Sequence, residues 1–386
     1  MVSSHKTAFV KDHLDFLEKS GLYRHLRTLV TEGATARVDG KKVINLSSND
    51  YLGLSQNKQI VEKTVTALQQ VSQCSSRLIA GNHPKIIELE DLLAEHRRKE
   101  SALVYPTGYA ANLGVVMTIA NKNSTIFSDE LNHASVVDAC RLSGATIDIF
   151  RHNDTDHLQK LMRRGYGRKI VITEGIFSMD GDIGKLSEIQ SIADRYDAIT
   201  IIDDAHGDFI FGPAFSGTPA KFGANFDIHI SSMSKGLGCF GGYVATTIPI
   251  RELLINTSRQ FIYTSALPVH LCSAAITAIP IAKRGHLQKR LQDNILYFSS
   301  AMKRLGFELG NSATQIIPVM IGTEAQSVKF SEELLKEGVF AQAIRYPTVK
   351  KGQARLRISL SAIHRQEHLD YAVDAFLRAA KKTRLL

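Results

Sequence analysis

The stretch "AITIIDDAHG", residues 198–207, decides the fold. An almost unbroken apolar run ends abruptly in Asp203, Asp204 and His206. Such a run has the pattern of a strand buried on both faces, not the alternation of a one-sided sheet. "FDIHISSMSKG" (226–236) repeats the plan, and so does "KIVITEGIFS" (169–178), with the helical pattern "KLSEIQSIADRYD" between the latter and the first stretch. Further out, "STIFSD" (124–129) and "ATIDIFRH" (145–152) read as strands around a helical "ASVVDACRLSG". Strands alternating with helices over about 85–250 predict an α/β protein, with a mostly parallel sheet covered on both faces. The polar residues follow the strands' C-terminal ends, where such sheets place their ligands.

Residues 8–29 read as a helix with Leu14, Leu17 and Leu22 towards one side, packed on a smaller domain or across a dimer. "GKKVINLSSNDYLGL" (40–54) is a strand running into a loop. After the helix at 286–306, a smaller αβ pattern contains the strands "TQIIPVMIG" and "ARLRISLS" and the closing helix "EHLDYAVDAFLRAAKK". The expected division is an N-terminal helical segment (1–45), a large domain (46–285) and a small C-terminal α/β domain (286–386).

Composition excludes several classes. The chain has 386 residues and a formal net charge of +9. Its basic residues are dispersed, without the clustered patch that nucleic acid requires. The weakly polar run "LCSAAITAIPIA" (271–282) is too short to cross a bilayer and contains Pro280. The first twenty residues scatter charge through any apolar segment, which argues against a secretory signal. Cys74, Cys140, Cys239 and Cys272 are far apart and form no metal-ligand pattern. A cytoplasmic enzyme with reduced thiols and no metal is the expectation.

Four polar clusters fall at strand ends. "YPTGYAAN" (105–112) is a glycine turn before a helix, whose N–H groups can hold a phosphate or merely connect two elements. "TEGIFSMDGD" (173–182) brings Glu174 and Ser178 together, as a site or as turn chemistry. Asp203 ends a buried strand and needs a cation, either a protein base or a ligand's protonated nitrogen. "SSMSKGLGCFGG" (231–242) isolates Lys235 among small residues, where a desolvated amine can act as a nucleophile. An amine, an acid for a ring nitrogen and phosphate-cradling turns are together the parts of a pyridoxal 5'-phosphate (PLP) site.

With these motifs, and with "SSNDYLGL", "SRLIAGNH", "LNHASVVDA", "FIYTSALP" and "IRYPTVKKGQARLRISLSAIH", the chain resembles the α-oxoamine synthase family of fold-type I PLP enzymes along nearly its whole length. The resemblance implies a large, mostly parallel seven-stranded sheet domain with a smaller α/β domain, and PLP as cofactor. It implies a homodimer with shared active sites. Lys235 would carry the cofactor as a Schiff base, with small neighbours because the cofactor fills the space. Asp203 would pair with the ring nitrogen, His206 with the phenolic oxygen, and His133 would stack on the ring. Gly108, Tyr109, Ser178 and Ser232 would hold the phosphate, with Thr264 serving the neighbouring subunit's cofactor. Arg357 would grip the amino-acid carboxylate, Arg24 (or its neighbour Arg27) and Thr348 the acyl substrate, while Asn49 and Glu174 line the site. Ser232 stands where threonine is usual, and "CSSRL" replaces a glycine-richer loop. The branch resembled condenses L-alanine with a pimeloyl thioester of coenzyme A or acyl carrier protein, with loss of CO2, in biotin biosynthesis. Sibling branches use glycine with acetyl-CoA or serine with a palmitoyl thioester. A PLP-binding protein without activity would not need the full set of Lys235, Asp203, His206 and Arg357.

Overall fold

The computed structural model describes residues 5–385. They form two compact units, one of residues 49–292 and one combining the described residues before 49 with those after 292.

The larger unit is built on seven strands: β1 (Ser101–Tyr105), β2 (Ser124–Asp129), β3 (Thr146–Phe150), β4 (Arg168–Glu174), β5 (Ile199–Asp203), β6 (Ile228–Ser232) and β7 (Gly242–Thr246). Their order across the sheet is β1-β7-β6-β5-β4-β2-β3. Only β7 runs antiparallel, pairing with both β1 and β6. Helices lie between successive parallel strands, the connection that parallel neighbours require. The apolar runs are buried as their pattern demands: Ile170, Ile172, Ile201, Ile228, Ile230 and Val244 pack with Val115, Val136 and Leu254 on one face. Val171, Ile202 and Phe127 meet Leu158, Ile189 and Phe226 on the other.

In the smaller unit, an antiparallel sheet pairs Ala354–Ser359 with both Ile316–Gly322 and Gln342–Ile344. A second sheet is formed by three strands within 29–45 and the short Val339–Phe340. The helix expected over 8–29 is shorter. It ends at Lys19, and Gly21 takes a positive φ of 64° that turns the chain out of the helix. Residues 29–32 are already a strand. No residue of the 8–19 helix is buried, so Leu14 and Leu17 do not pack into a core of this chain. The 269–282 helix keeps Pro280 inside its last turn. Among the described residues no helix is long and apolar enough to cross a membrane, and no cluster of side chains could hold a metal ion.

Candidate active site

Five of the six parallel strands, β1, β2, β4, β5 and β6, lead into a cavity of about 220 Å³. Gly108, Tyr109, His133, Glu174, Asp203, His206, Ser232 and Lys235 line it, joined by Thr107, Asn112, Ser135, Ala205 and Ser234.

Each strand delivers its residues for a local reason. After β1, Thr107 caps the Gly108–Ile119 helix, its hydroxyl accepting from the Ala110 N–H at 3.1 Å. The N–H groups of Gly108 and Tyr109, at the open end of the helix, remain for an anion. A side chain on Gly108 would crowd Ser232 Cβ at 3.3 Å, and one on Gly242 would strike the Gly108 nitrogen at 2.4 Å. After β2, His133 caps the next helix: its Nδ1 accepts from the Ser135 N–H at 3.2 Å, which puts the ring proton on Nε2. Desolvation by the surrounding protein, and then Lys235, lower its pKa against the pull of Asp203. The His133 N–H donates to Glu174 Oε1 at the end of β4. Burial, then the nearby Asp203 charge, pushes the Glu174 carboxyl well above its ordinary range, while Lys235 pulls the other way.

Asp203 ends β5 with only 8% of its surface exposed. Two donors fix it: Asn112 Nδ2 at 2.7 Å and the Ala205 N–H at 3.0 Å. Lys235 Nζ lies 2.9 Å from His206 Nε2, and His206 Nδ1 lies 2.7 Å from the Tyr51 hydroxyl. Beneath the site, Arg97 Nη1 donates to Asp204 (2.9 Å), Asp208 (3.0 Å) and the Ser216 carbonyl (2.9 Å). Ser231 on β6 donates to the same Asp208 at 2.7 Å, which ties the Asp203–His206 turn to the strand leading to Lys235. Burial raises the Asp204 carboxyl to about 6 against the pull of Arg97. Asp208, also buried, is driven below the usual range by Arg97 and His96.

Two of the glycines after Lys235 also have a packing role of their own. A side chain on Gly236 would strike the Asp208 carbonyl at 2.6 Å, and one on Gly238 the Ser55 nitrogen at 2.5 Å. Backbone packing requires these two glycines, while Ser232 and Ser234 line the cavity.

Six expected residues lie outside the cavity lining. Ser178 sits in the turn after β4, and Thr264 lines a separate recess with Arg77, Tyr105 and Phe261. Asn49 adjoins Tyr51, whose hydroxyl lies 3.1 Å from Asn49 Oδ1. Arg24, Thr348 and Arg357 belong to the smaller unit. There Arg24 and Thr348 are exposed, while Arg357 is buried on its strand and donates to Ser359 Oγ at 2.8 Å. Arg27 pairs with Asp39 at 3.7 Å. Sequence reading missed Asn112, although it closes the quoted "YPTGYAAN", because a lone helical amide carries no signal of burial.

The donor set fits PLP: a half-buried amine, a fixed carboxylate, a hydroxyl-lined rim at Ser232 and Ser234, and open N–H groups around one cavity. The comparisons agree with this chemistry. Residues 41–376 match the aminotransferase class I and II family, and the chain belongs to it. A protein of Thermoanaerobacter pseudethanolicus named 8-amino-7-oxononanoate synthase is 42% identical, and the match covers 100% of both chains. The structure of Sphingomonas wittichii serine palmitoyltransferase superposes with a TM-score of 0.94 at 29% identity, covering 100% of both chains. A serine palmitoyltransferase solved with PLP as its internal aldimine gives 0.93 at 28% identity, again with 100% of both covered.

Proposed function

We propose that the protein condenses L-alanine with a pimeloyl thioester, carried on coenzyme A or acyl carrier protein, to give 8-amino-7-oxononanoate, CO2 and free thiol in biotin biosynthesis. The observation that carries this is the meeting of Lys235, Asp203 and His206 in one cavity, in a chain 42% identical over its full length to a protein named for that product. PLP, when bound, supplies an electron sink at the alanine α-carbon.

The chain's own residues do the rest. Lys235 Nζ holds the cofactor, takes the α-proton from alanine and returns a proton at the end. The Asp203 charge, fixed by Asn112 and Ala205, keeps the ring nitrogen protonated. The Gly108 and Tyr109 N–H groups, with Ser178 and Ser232, take the phosphate. His133 keeps its proton on Nε2 and so can donate to the thioester carbonyl as negative charge grows there. The new carbon–carbon bond forms as the thiolate leaves the acyl carbon; the bond to alanine's carboxylate then breaks, releasing CO2. Arg357 holds that carboxylate as a bidentate partner. Arg24 and Thr348 meet the acyl chain, and Asn49 and Glu174 border the reacting centre. The enzyme works as a cytoplasmic homodimer in which Thr264 serves the second copy's cofactor.

The likeness to serine palmitoyltransferase structures favours one second reading, serine with a palmitoyl thioester. A matrix of alanine, glycine and serine against acetyl, pimeloyl and palmitoyl thioesters separates the two, with thiol release as readout. Alanine with pimeloyl thioester is expected to be fastest. Faster turnover of any other pair would overturn the assignment.

A further inference from the structure

Four side chains of the larger unit form a hydrogen-bonded row that the reaction described above does not use in full. Lys235 Nζ lies 2.9 Å from His206 Nε2, His206 Nδ1 lies 2.7 Å from Tyr51 Oη, and Tyr51 Oη lies 3.1 Å from Asn49 Oδ1. His206 is 5% exposed and Tyr51 is fully buried. A buried imidazole is satisfied only when each ring nitrogen meets a partner of the opposite kind.

The row has one consistent direction when Lys235 is a free ammonium. That group has donors only, so His206 Nε2 accepts. The ring proton then sits on Nδ1 and points at Tyr51 Oη. Tyr51 accepts it and turns its own hydrogen to the Asn49 carbonyl oxygen, which can only accept. The direction reverses when an acceptor oxygen takes the place of the amine beside Nε2. Nε2 must then carry the proton, and Nδ1 needs a donor. Tyr51 is the group already in place: a hydroxyl can rotate its hydrogen from Asn49 to His206 with no movement of heavy atoms. A backbone carbonyl or a carboxylate at this position could serve only the first state, and an N–H only the second.

We propose that Tyr51 is a positioning residue that lets His206 exchange tautomers, Nδ1–H with free Lys235 and Nε2–H when PLP presents its phenolic oxygen. Asn49 stores the tyrosine's hydrogen in the first state. The proposal rests on the reading of the cavity as a PLP site, so that Tyr51 acts on the cofactor through His206 and touches neither it nor the substrates.

Ring-nitrogen NMR of protein labelled with 15N-histidine tests this, with His206→Gln used to assign the signals. In the wild type, the protonated nitrogen of His206 should change from Nδ1 to Nε2 between the cofactor-free and the PLP-saturated protein. Tyr51→Phe keeps the buried ring but removes the hydroxyl. It should bind PLP about tenfold more weakly, the loss of one buried hydrogen bond. Asn49→Ala removes the hydrogen's resting place and should shift the cofactor-free protein towards Nε2–H, an effect that loss of packing alone would not give. A wild-type His206 protonated on the same nitrogen in both states overturns the proposal. So does unchanged PLP affinity in Tyr51→Phe, or an unmoved tautomer in Asn49→Ala. If the wild type develops no visible PLP band, the cofactor reading fails. The cofactor-free comparison of wild type with Asn49→Ala still decides whether Tyr51 directs the His206 proton.

Discussion

The amide nitrogen of Asn112 lies 2.7 Å from the Asp203 carboxylate, and both residues are buried. The same nitrogen lies 2.8 Å from Ser135 Oγ. The serine hydroxyl in turn lies 2.7 Å from His133 Nδ1. One amide thus joins the acid at the end of β5 to the histidine that caps the helix after β2. Asn112→Leu keeps the volume and removes the donor. A hydrogen bond to a charged group contributes about 1.5–3 kcal/mol. Turnover should therefore fall about tenfold to a hundredfold, with PLP still bound. Steady-state rates of holoenzyme would check this, and wild-type turnover would show that Asp203 holds its place without the amide.

Lys235→Ala should fold but fail to form the reducible Schiff base, so that borohydride leaves no cofactor on the chain. Mass spectrometry of the reduced protein reads this directly. Cofactor retained covalently at another lysine would remove Lys235 from its proposed role.

Glu174 predicts a pH effect of unusual sign. Its carboxyl is raised well above the ordinary value, chiefly by burial and then by Asp203. The folded state therefore holds its proton more tightly than the unfolded chain. That favours folding at low pH, and the advantage is lost as pH rises from the unfolded pKa through the folded one. Glu174→Gln keeps an oxygen for the His133 N–H and carries no charge. The cofactor-free variant should melt at the wild-type temperature near pH 4 and increasingly above it towards pH 8. A variant that melts lower at pH 8 would show that the charge is well accommodated.

His152 adds a second effect of the same sign at higher pH. Its Nδ1 lies 2.9 Å from Asp129 at the end of β2, and its Nε2 lies 2.7 Å from Asp182 in the loop after β4. Burial lowers its pKa, but the two carboxylates outweigh that and raise it to about 10. Two acidic partners need two N–H donors, so the ring is an imidazolium. Its contribution is complete below the unfolded value near 6.5 and disappears as pH rises through about 10. His152→Ala should cost about 3 kcal/mol at pH 6, because Asp129 is left buried without its cation. The cost should shrink towards pH 10.5. Denaturant melts at the two pH values measure it, and an equal cost at both would mean the ring acts through packing alone.

β2, β4 and β5 were legible because each is an apolar run ending in charge: "STIFSD" matches β2 residue for residue, and "ITIID" is β5. β7 was not, since "GYVAT" follows a glycine-rich turn and its first residue is glycine to clear the backbone at Gly108. The site residues lying directly at strand ends could be read for the same reason as the strands. Asn112 and Tyr51 could not, because their importance is a matter of what they touch across 91 and 155 residues of sequence. The packing role of the glycines beside Lys235 was not legible either, because it is set by the backbone of 54, 55 and 208, distant in sequence.

Substrate choice gives the last prediction. Alanine and glycine present the same carboxylate, so a buried guanidinium that grips it should not distinguish them. Arg357 is that group in the reading above, and its Nη1 donates to Ser359 Oγ. Arg357→Lys keeps the charge but loses the planar fork that pairs with both carboxylate oxygens. The KM for alanine should rise at least tenfold, the loss of about 1.4 kcal/mol or more. The KM for the thioester should stay near the wild-type value. The relative preference for alanine over glycine should also persist, because it depends on the space around one methyl group, worth about 1–3 kcal/mol. Glycine should accordingly be a slow substrate of both proteins. Equal loss of affinity for the amino acid and the thioester would place Arg357 at the acyl substrate instead, and a changed alanine-to-glycine ratio would make it part of the methyl pocket.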